Sequence, residues 1–189
     1  VLDPFDYQAF LNYPGKFYAV VTDVETGAAR YLRVRDLRKQ MWMIRSSSSL
    51  PLVSKTIVVK GHKLLDGGIA DSIPIHKSIK DGNEKNVVIL TRDHGYRKEP
   101  NKLMPIMHLR YPKYKAFLHA METRHIRYNE TLDFLEEQEK EGKVFIIRPE
   151  AKVEVGRIEK DKAKLTVLYK QGLHDGEKAV EAMKEYLEK

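Results

Sequence analysis

The stretch "KLLDGGIADSIPI", residues 63–75, determines how the fold of this sequence is interpreted. An apolar pair leads into Asp66, and Gly67 and Gly68 follow it directly. Glycines let a second backbone or a substrate approach closely, so a carboxylate in this setting is a candidate functional group. Asp-Gly turns are also common, and the Asp66 side chain can hydrogen-bond its own backbone two residues further on. The flanking sequence must therefore indicate whether Asp66 is a functional group or only stabilises its own turn.

Upstream of this turn the sequence predicts strands and one helix. Residues 16–32 hold β-branched and aromatic runs separated by a turn, which predicts a hairpin. Residues 36–49 predict a helix that Asp36 can cap. Residues 56–65 predict a second hairpin that leads directly into the Asp66 turn. A helix between strands indicates a mixed α and β protein.

Downstream, residues 73–82 predict a short helix that ends at Gly82. Residues 85–93 predict a strand of the continuous apolar kind that is buried on both faces. The order of strand, helix and strand favours a parallel sheet with helices on its faces. The fold class predicted from this order is α/β.

The second half of the chain alternates irregular and helical sequence. Residues 92–112 contain three prolines and predict an irregular surface segment, either a flap over a site or a connector. Residues 114–143 predict one helix, and residues 144–149 another buried strand. The tail from residue 161 predicts helix that is broken between residues 172 and 176. The apolar stripe expected on the long helix consists of Met121, His125, Tyr128, Leu132 and Leu135.

Composition limits the classes of protein to consider. The chain has 189 residues, 42% hydrophobic and 32% charged, which suits one globular domain. It has no cysteine, so disulfides, thiolate catalysis and cysteine-based zinc sites are excluded. No apolar run reaches the roughly 18–20 residues of a membrane-spanning helix, which predicts a cytoplasmic protein. The net charge of +7 favours anionic partners.

Several motifs in this order resemble the second half of a bacterial patatin-like phospholipase. They are "RSSSSLPLVSK" (45–55), a hairpin of short strands, "LLDGGIADSIPI" (64–75) and "NVVILTR" (86–92). The hairpin at residues 16–32 is also similar to the family's upstream strands. The resemblance covers about residues 15–95 motif by motif, and the rest of the chain by the order of its elements.

The resemblance implies a three-layer α/β/α fold and a serine acyl hydrolase that works with a Ser-Asp dyad and no cofactor or metal. Asp66 corresponds to the dyad aspartate, and Gly67 and Gly68 to the turn that holds it. Because a free carboxylate is a weak base towards a hydroxyl, such an aspartate must be desolvated and lie within hydrogen-bond reach of the serine. The substrate is then a phospholipid or another acyl ester.

The sequence departs from that pattern at the nucleophile. No serine stands in a Gly-x-Ser-x-Gly sequence, and no glycine-rich oxyanion loop is present. Since the chain begins at Val1, we expect it to be the C-terminal part of one hydrolase domain, residues 1–189, incomplete at its N-terminus and inactive alone. The serines at 46–49 lack the adjacent glycines of a nucleophile elbow, and we expect them to occupy a helix end and turn.

Histidines and basic residues offer weaker alternatives. No histidine pair has metal-ligand spacing, and His94, after a predicted strand, is either a third catalytic residue or a solvated loop histidine. The basic and aromatic residues 110–128 form either an ordinary helix or a peripheral contact with an anionic membrane. No nucleic-acid-binding module is recognisable.

A second hypothesis competes with the hydrolase. The chain would then be a non-catalytic binding or scaffold protein with a relic of the same fold, whose positive charge binds acidic lipid or protein surfaces. Under either hypothesis an incomplete sheet exposes an edge or an apolar face, so we expect a homo-oligomer.

Overall fold

The computed structural model describes residues 4–156 and 159–188, which form two compact units. Unit 1 contains the described residues up to Pro74 together with Glu99–Tyr128. Unit 2 contains Ile75–Lys98 and the described residues from Asn129 onwards. Each unit combines helices with a small sheet. The chain is therefore a mixed α/β protein, and the predicted class is confirmed at that level.

The helices are numbered in chain order. They are α1 (Tyr7–Asn12), α2 (Leu37–Ser47), α3 (Ile75–Lys80), α4 (Met104–Arg110), α5 (Lys115–Glu122), α6 (Arg124–Lys140) and α7 (Lys162–Glu188). The predicted cap of α2 is confirmed, since the Asp36 carboxylate accepts a hydrogen bond from the Lys39 backbone. This bond satisfies one of the backbone donors that a helix start leaves unpaired.

Antiparallel strands form the sheet of unit 1, in the order β2-β1-β4-β3. The strands are β1 (Phe17–Asp23), β2 (Ala29–Val34), β3 (Ile57–Val59) and β4 (His62–Asp66). Both predicted hairpins are confirmed, because β1 pairs with β2 and β3 pairs with β4. The pairing of β1 with β4 joins the hairpins and brings Asp66 opposite Val21.

Helices pack on both faces of this sheet. On one face, Ala19 and Val34 form a cluster with Leu37 of α2. Leu65 lies opposite Thr22, so its side chain belongs to the other face. The larger core cluster lies there and joins residues of β4, the following turn, α4 and α5: Val24, Leu65, Ile69, Met107, Tyr111, Phe117, Leu118, Ala120 and Met121.

The prediction of an irregular segment at residues 92–112 is wrong over α4. Pro105 stands in the first turn of this helix, where its missing N–H is not needed for a helical hydrogen bond. Met107 and Tyr111 are buried in the core of unit 1. This part of the segment is therefore a regular helix, anchored in the core by Met107 and Tyr111, with its other side chains largely at the surface.

The predicted single helix at residues 114–143 is divided at Thr123. The Thr123 backbone has φ −89° and ψ 0°, and its hydroxyl donates to the His119 carbonyl at 2.7 Å. α5 therefore ends at the preceding residue, and α6 begins at the next one. Met121 and Leu135 of the expected apolar stripe are buried, whereas the other three residues are partly exposed.

Unit 2 contains a two-stranded parallel sheet of β5 (Asn86–Ile89) and β6 (Val144–Ile147). The expectation that β4, α3 and β5 build one parallel sheet is wrong, because β4 and β5 belong to different sheets. The expected burial of β5 on both faces is also wrong, since Ile89 is 73% exposed. A two-stranded sheet covers too little area to bury both faces of its strands.

α7 is one continuous helix, so the break predicted between residues 172 and 176 is wrong. Each glycine costs a helix about 1 kcal/mol relative to alanine, which does not interrupt a helix of 27 residues. The Tyr186 hydroxyl connects α7 to β5 and to the residue before β6, accepting from the Asn86 N–H at 2.9 Å and donating to the Lys143 carbonyl at 2.7 Å. Among the described residues, no helix combines the length and the apolar composition needed to cross a bilayer.

The first prediction concerns Gly67, whose backbone presses against β1. A Cβ at this position would overlap the Val20 carbonyl group and lie 2.9 Å from the Val20 Cβ. We expect Gly67→Ala to lower the free energy of unfolding by about 1–3 kcal/mol or more, because backbone atoms must move. Chemical denaturation measures the change. Gly156→Ala is the control, since a Cβ there meets nothing within 4 Å; equal stability of both variants would contradict the prediction.

Candidate functional site

The predicted site residues Asp66, Gly67 and Gly68 form a tight turn where β4 ends. Asp66 is the last residue of β4, and Gly67–Ile69 form a single 3-10 turn after it. Oδ1 of Asp66 accepts a hydrogen bond from the Gly68 N–H at 2.7 Å, the local bond expected of an aspartate in a turn. Among the described residues, Oδ2 of Asp66 accepts no hydrogen bond. One oxygen thus fixes the carboxylate, and the other remains available.

Thr22 of β1 holds both ends of the Asp66 turn. Its side chain is fully buried, and its hydroxyl donates to the Asp66 carbonyl at 2.8 Å. The same oxygen accepts from the Ala70 N–H at 3.1 Å. Buried backbone groups need partners, and this single hydroxyl supplies two. No local sequence pattern marks Thr22, and only the register of β1 with β4 places it at the turn.

Polar groups surround Gly68 on its open side. A Cβ at Gly68 would lie 3.0 Å from Oδ1 of Asp66, 3.2 Å from Nη2 of Arg124 and 3.6 Å from the Ser72 hydroxyl. The Ser72 hydroxyl donates to the Gly68 carbonyl at 2.6 Å. A carboxylate, a guanidinium and a hydroxyl therefore meet around a residue that has no side chain. This arrangement can hold a small polar or anionic group.

Arg127 of α6 supports the turn from a second direction. Its Nη2 donates to the Ile69 carbonyl at 3.0 Å and to the Ala120 carbonyl at 2.7 Å. The charged guanidinium forms stronger hydrogen bonds than a neutral donor would. Sequence reasoning did not identify Arg127 or Arg124, because both lie about sixty residues from Asp66 in the chain.

The serines at 46–49 occupy the helix end and turn that the sequence predicts. The hydroxyls of Ser46 and Ser49 donate to the Trp42 and Arg45 carbonyls at 2.7 and 2.6 Å. Both serines are buried. The Ser49 carbonyl accepts from the Asp66 N–H at 2.8 Å, so this segment also positions the turn.

A second cluster of charged groups lies at the turn of the β1–β2 hairpin, where β1 ends at Asp23. Asp23 is 3% exposed, and its Oδ2 lies 3.0 Å from both Nη1 of Arg30 and Nδ1 of His62. Its Oδ1 accepts from the backbone of the hairpin turn, at 2.9 Å from the Glu25 N–H. No sequence pattern predicts this cluster, because Asp23 and His62 are 39 residues apart in the chain. Its carboxylate is fully occupied by these partners, which is typical of a structural role.

Asp71 lies five residues after Asp66 and has a different environment. Its Oδ2 accepts a hydrogen bond from the Tyr31 hydroxyl of β2 at 2.6 Å. Burial, together with this hydrogen bond and the Asp71 charge, raises the pKa of Tyr31 above its ordinary value of about 10. Asp71 therefore acts as a tether between the turn and the sheet.

No metal site accompanies the turn. Within residues 4–156 and 159–188, no three His, Asp or Glu side chains are grouped so that they could hold a metal ion.

His94 lies in unit 2, in the loop after β5. His108 pairs with Glu122 at 2.8 Å, both about half exposed.

Comparison with known proteins identifies only the second part of the chain. Residues 114–188 match a domain of unknown function (DUF6363). No curated protein matches the sequence. The expectation of a patatin-like family is wrong, because the family that matches is a different one and its match lies outside the Asp66 turn.

The second prediction tests the Thr22 hydroxyl. In Thr22→Val the shape of the side chain is kept, but the Asp66 carbonyl loses its hydroxyl donor and the Ala70 N–H keeps only the Gly67 carbonyl as acceptor. Each buried group left unpaired costs about 1–3 kcal/mol of folding free energy. Thr22→Ser keeps the hydroxyl and is the control. Denaturant titration should find the valine variant clearly less stable than the serine variant, and the reverse order would contradict the role given to this hydroxyl.

The third prediction concerns the pH dependence of stability. The pKa of Tyr31 is raised in the folded state, so its contribution to stability is fully present below about pH 10 and is lost as the pH rises above that value. We expect Tyr31→Phe to lose less stability than the wild type between pH 8 and pH 11, measured by denaturant midpoints. Tyr13→Phe, at a side chain 63% exposed, is the control and should behave like the wild type.

Proposed function

We propose that this chain contributes the carboxylate of a lipid acyl hydrolase, with Asp66 as the general base towards a serine. The observation that supports this most directly is the asymmetry of Asp66: the Gly68 N–H fixes Oδ1, whereas Oδ2 accepts no hydrogen bond from the described residues. A base must be held in position and still have a free lone pair. The aspartate with the adjacent pair Gly67 and Gly68 meets both conditions.

The environment of the turn is consistent with ester chemistry. Gly68 presents no side chain, so an acyl group could approach the carboxylate closely. Nη2 of Arg124 lies beside Gly68, where its positive charge would favour an anionic lipid headgroup or a developing oxyanion. The three-layer α/β/α architecture, a cytoplasmic site of action and peripheral contact with a membrane belong to the same proposal, and no cofactor is required.

The proposed reaction needs a serine that the 189 residues do not provide in an elbow sequence. Oδ2 of Asp66 would take the serine proton as the hydroxyl oxygen attacks the ester carbonyl. The ester C–O bond then breaks, the alcohol leaves with a proton, and water releases the acyl group. The proposal therefore takes this serine to lie outside residues 1–189.

The fourth prediction tests Asp66 in the protein expressed from its complete reading frame. Asp66→Asn keeps an oxygen acceptor for the Gly68 N–H but removes the base. We expect ester hydrolysis to fall about 10²–10⁴-fold, the usual contribution of a general base. Asp71→Asn, five residues away, is the matched control and should retain most of the activity.

The outcomes of this experiment separate the possibilities. Full activity in Asp66→Asn would contradict the proposed base. The 189-residue chain alone should not hydrolyse p-nitrophenyl esters, and turnover by that chain which Asp66→Ala abolishes would contradict an external serine.

A non-catalytic binding protein remains the second candidate. The observation that favours it is the Ser72 hydroxyl, the serine nearest the open side of Gly68, which is engaged with the Gly68 carbonyl and not with Asp66. The net charge of +7 would then bind acidic lipid or protein surfaces. Sedimentation with anionic vesicles tests this candidate, which predicts salt-sensitive binding without hydrolysis in the complete protein.

A further inference from the structure

α7 leaves large apolar side chains exposed along its whole length. Tyr169 is 70% exposed, Leu165 42% and Leu187 47%. Asp175 is the one buried residue of this helix, all of which the structure describes. Single exposed apolar residues are ordinary, but several of them along one 27-residue helix mark an interaction surface.

The row has a symmetric spacing. Steps of four, three and four residues, repeated twice, keep its members on one face of the helix. We call it the α7 stripe, and it consists of Leu165, Tyr169, Gly172, Gly176, Val180, Met183 and Leu187. Gly176, Val180 and Met183 are partly exposed, and the other four residues are exposed. The spacing is the same from either end, with Gly176 at the midpoint. A stripe of this kind fits a second copy that runs in the opposite direction.

Packing within the described part of the chain does not require glycine at positions 172 and 176. A Cβ at either position would meet no atom within 4 Å. Each glycine nevertheless weakens the helix by about 1 kcal/mol relative to alanine. Glycine on an exposed helix face lets another backbone approach closely. These two residues are therefore suited to the crossing point of a second helix.

The N-terminal half of α7 is basic and its C-terminal half is mainly acidic. Residues 162–174 contain three lysines and no acidic residue, whereas residues 175–188 contain five acidic residues and two lysines. An antiparallel pair places the basic half of each helix against the acidic half of the other. A parallel pair would bring like charges together.

We propose that this chain forms a two-fold symmetric dimer through antiparallel α7 helices that cross near Gly176. In this register Leu165 packs against the partner's Leu187, and Tyr169 packs against the partner's Met183. The proposal uses no residue of the Asp66 turn, so its test is independent of the test of the proposed hydrolase activity.

Single cysteines test the register directly, because the native chain contains none. Gly176→Cys should form a disulfide-linked dimer on mild oxidation, since the residue lies next to its own copy. Gly172→Cys is the matched control: its copy would be displaced by about eight residues, or about 12 Å along the helix, beyond the reach of a disulfide. A mixture of Gly172→Cys and Val180→Cys should form the mixed disulfide.

Three results would overturn the register. Self-linking of both glycine variants would indicate parallel helices. If the protein has the mass of a dimer but none of these cysteines forms a disulfide, the interface lies elsewhere. A monomer at all concentrations tested would exclude the dimer. Both cysteines replace a helix-interior glycine with a better helix former, so loss of folding is not expected to obscure the result.

Light scattering on the full chain provides a second test. Tyr169→Glu places a charge in the α7 stripe and should convert the dimer into a monomer. Val167→Glu is the control, because Val167 is 67% exposed on the same helix but lies outside the stripe; this variant should remain dimeric. A wild-type monomer that binds anionic phosphatidylglycerol vesicles, with binding lost in Tyr169→Glu, would assign the stripe to a membrane surface and overturn the dimer.

Discussion

The contact between Gly67 and the backbone of Val20 is the constraint on which the geometry of unit 1 depends. A side chain at position 67 would occupy the space of the Val20 carbonyl, so β4 can turn at this point only with glycine. Thr22, two residues further along β1, then satisfies both ends of the turn. The position of the Asp66 carboxylate is thus set by strand pairing and not by a loop. Groups fixed on regular elements are held more precisely than groups on loops.

The segment that matches DUF6363 also takes part in holding this turn. Its first residues, up to Tyr128, belong to unit 1, and Arg127 donates to the Ile69 carbonyl at 3.0 Å. Arg124 of the same helix lies beside Gly68. Replacing Arg127 with a neutral side chain would leave the Ile69 and Ala120 carbonyls without a charged donor. The matched domain is therefore not independent of the sequence before it, because part of it completes the core and the turn of unit 1.

Local sequence patterns predict the helices and strands whose formation depends mainly on neighbouring residues in the chain. Alternation and turn residues identify both hairpins, and Asp36 identifies the start of α2. The errors arise where tertiary contacts decide the outcome. Prolines suggest an irregular segment, yet burial of Met107 stabilises α4 there. Asp66 is predictable from its glycine neighbours, whereas Thr22 becomes part of the site only through the register of β1 with β4.

The two pairs of glycines show why a residue type alone does not reveal its role. In sequence both pairs look like breaks in regular structure. Gly67 is required because another strand occupies its side-chain space, whereas the space beside Gly68 is bordered by the polar ends of side chains. Gly172 and Gly176 have empty space around them and lie in a continuous helix. A glycine that the fold does not need, on a face already lined with exposed apolar residues, is best explained by something outside the chain. The same empty space that makes these positions poor evidence for a helix break makes them good evidence for a partner.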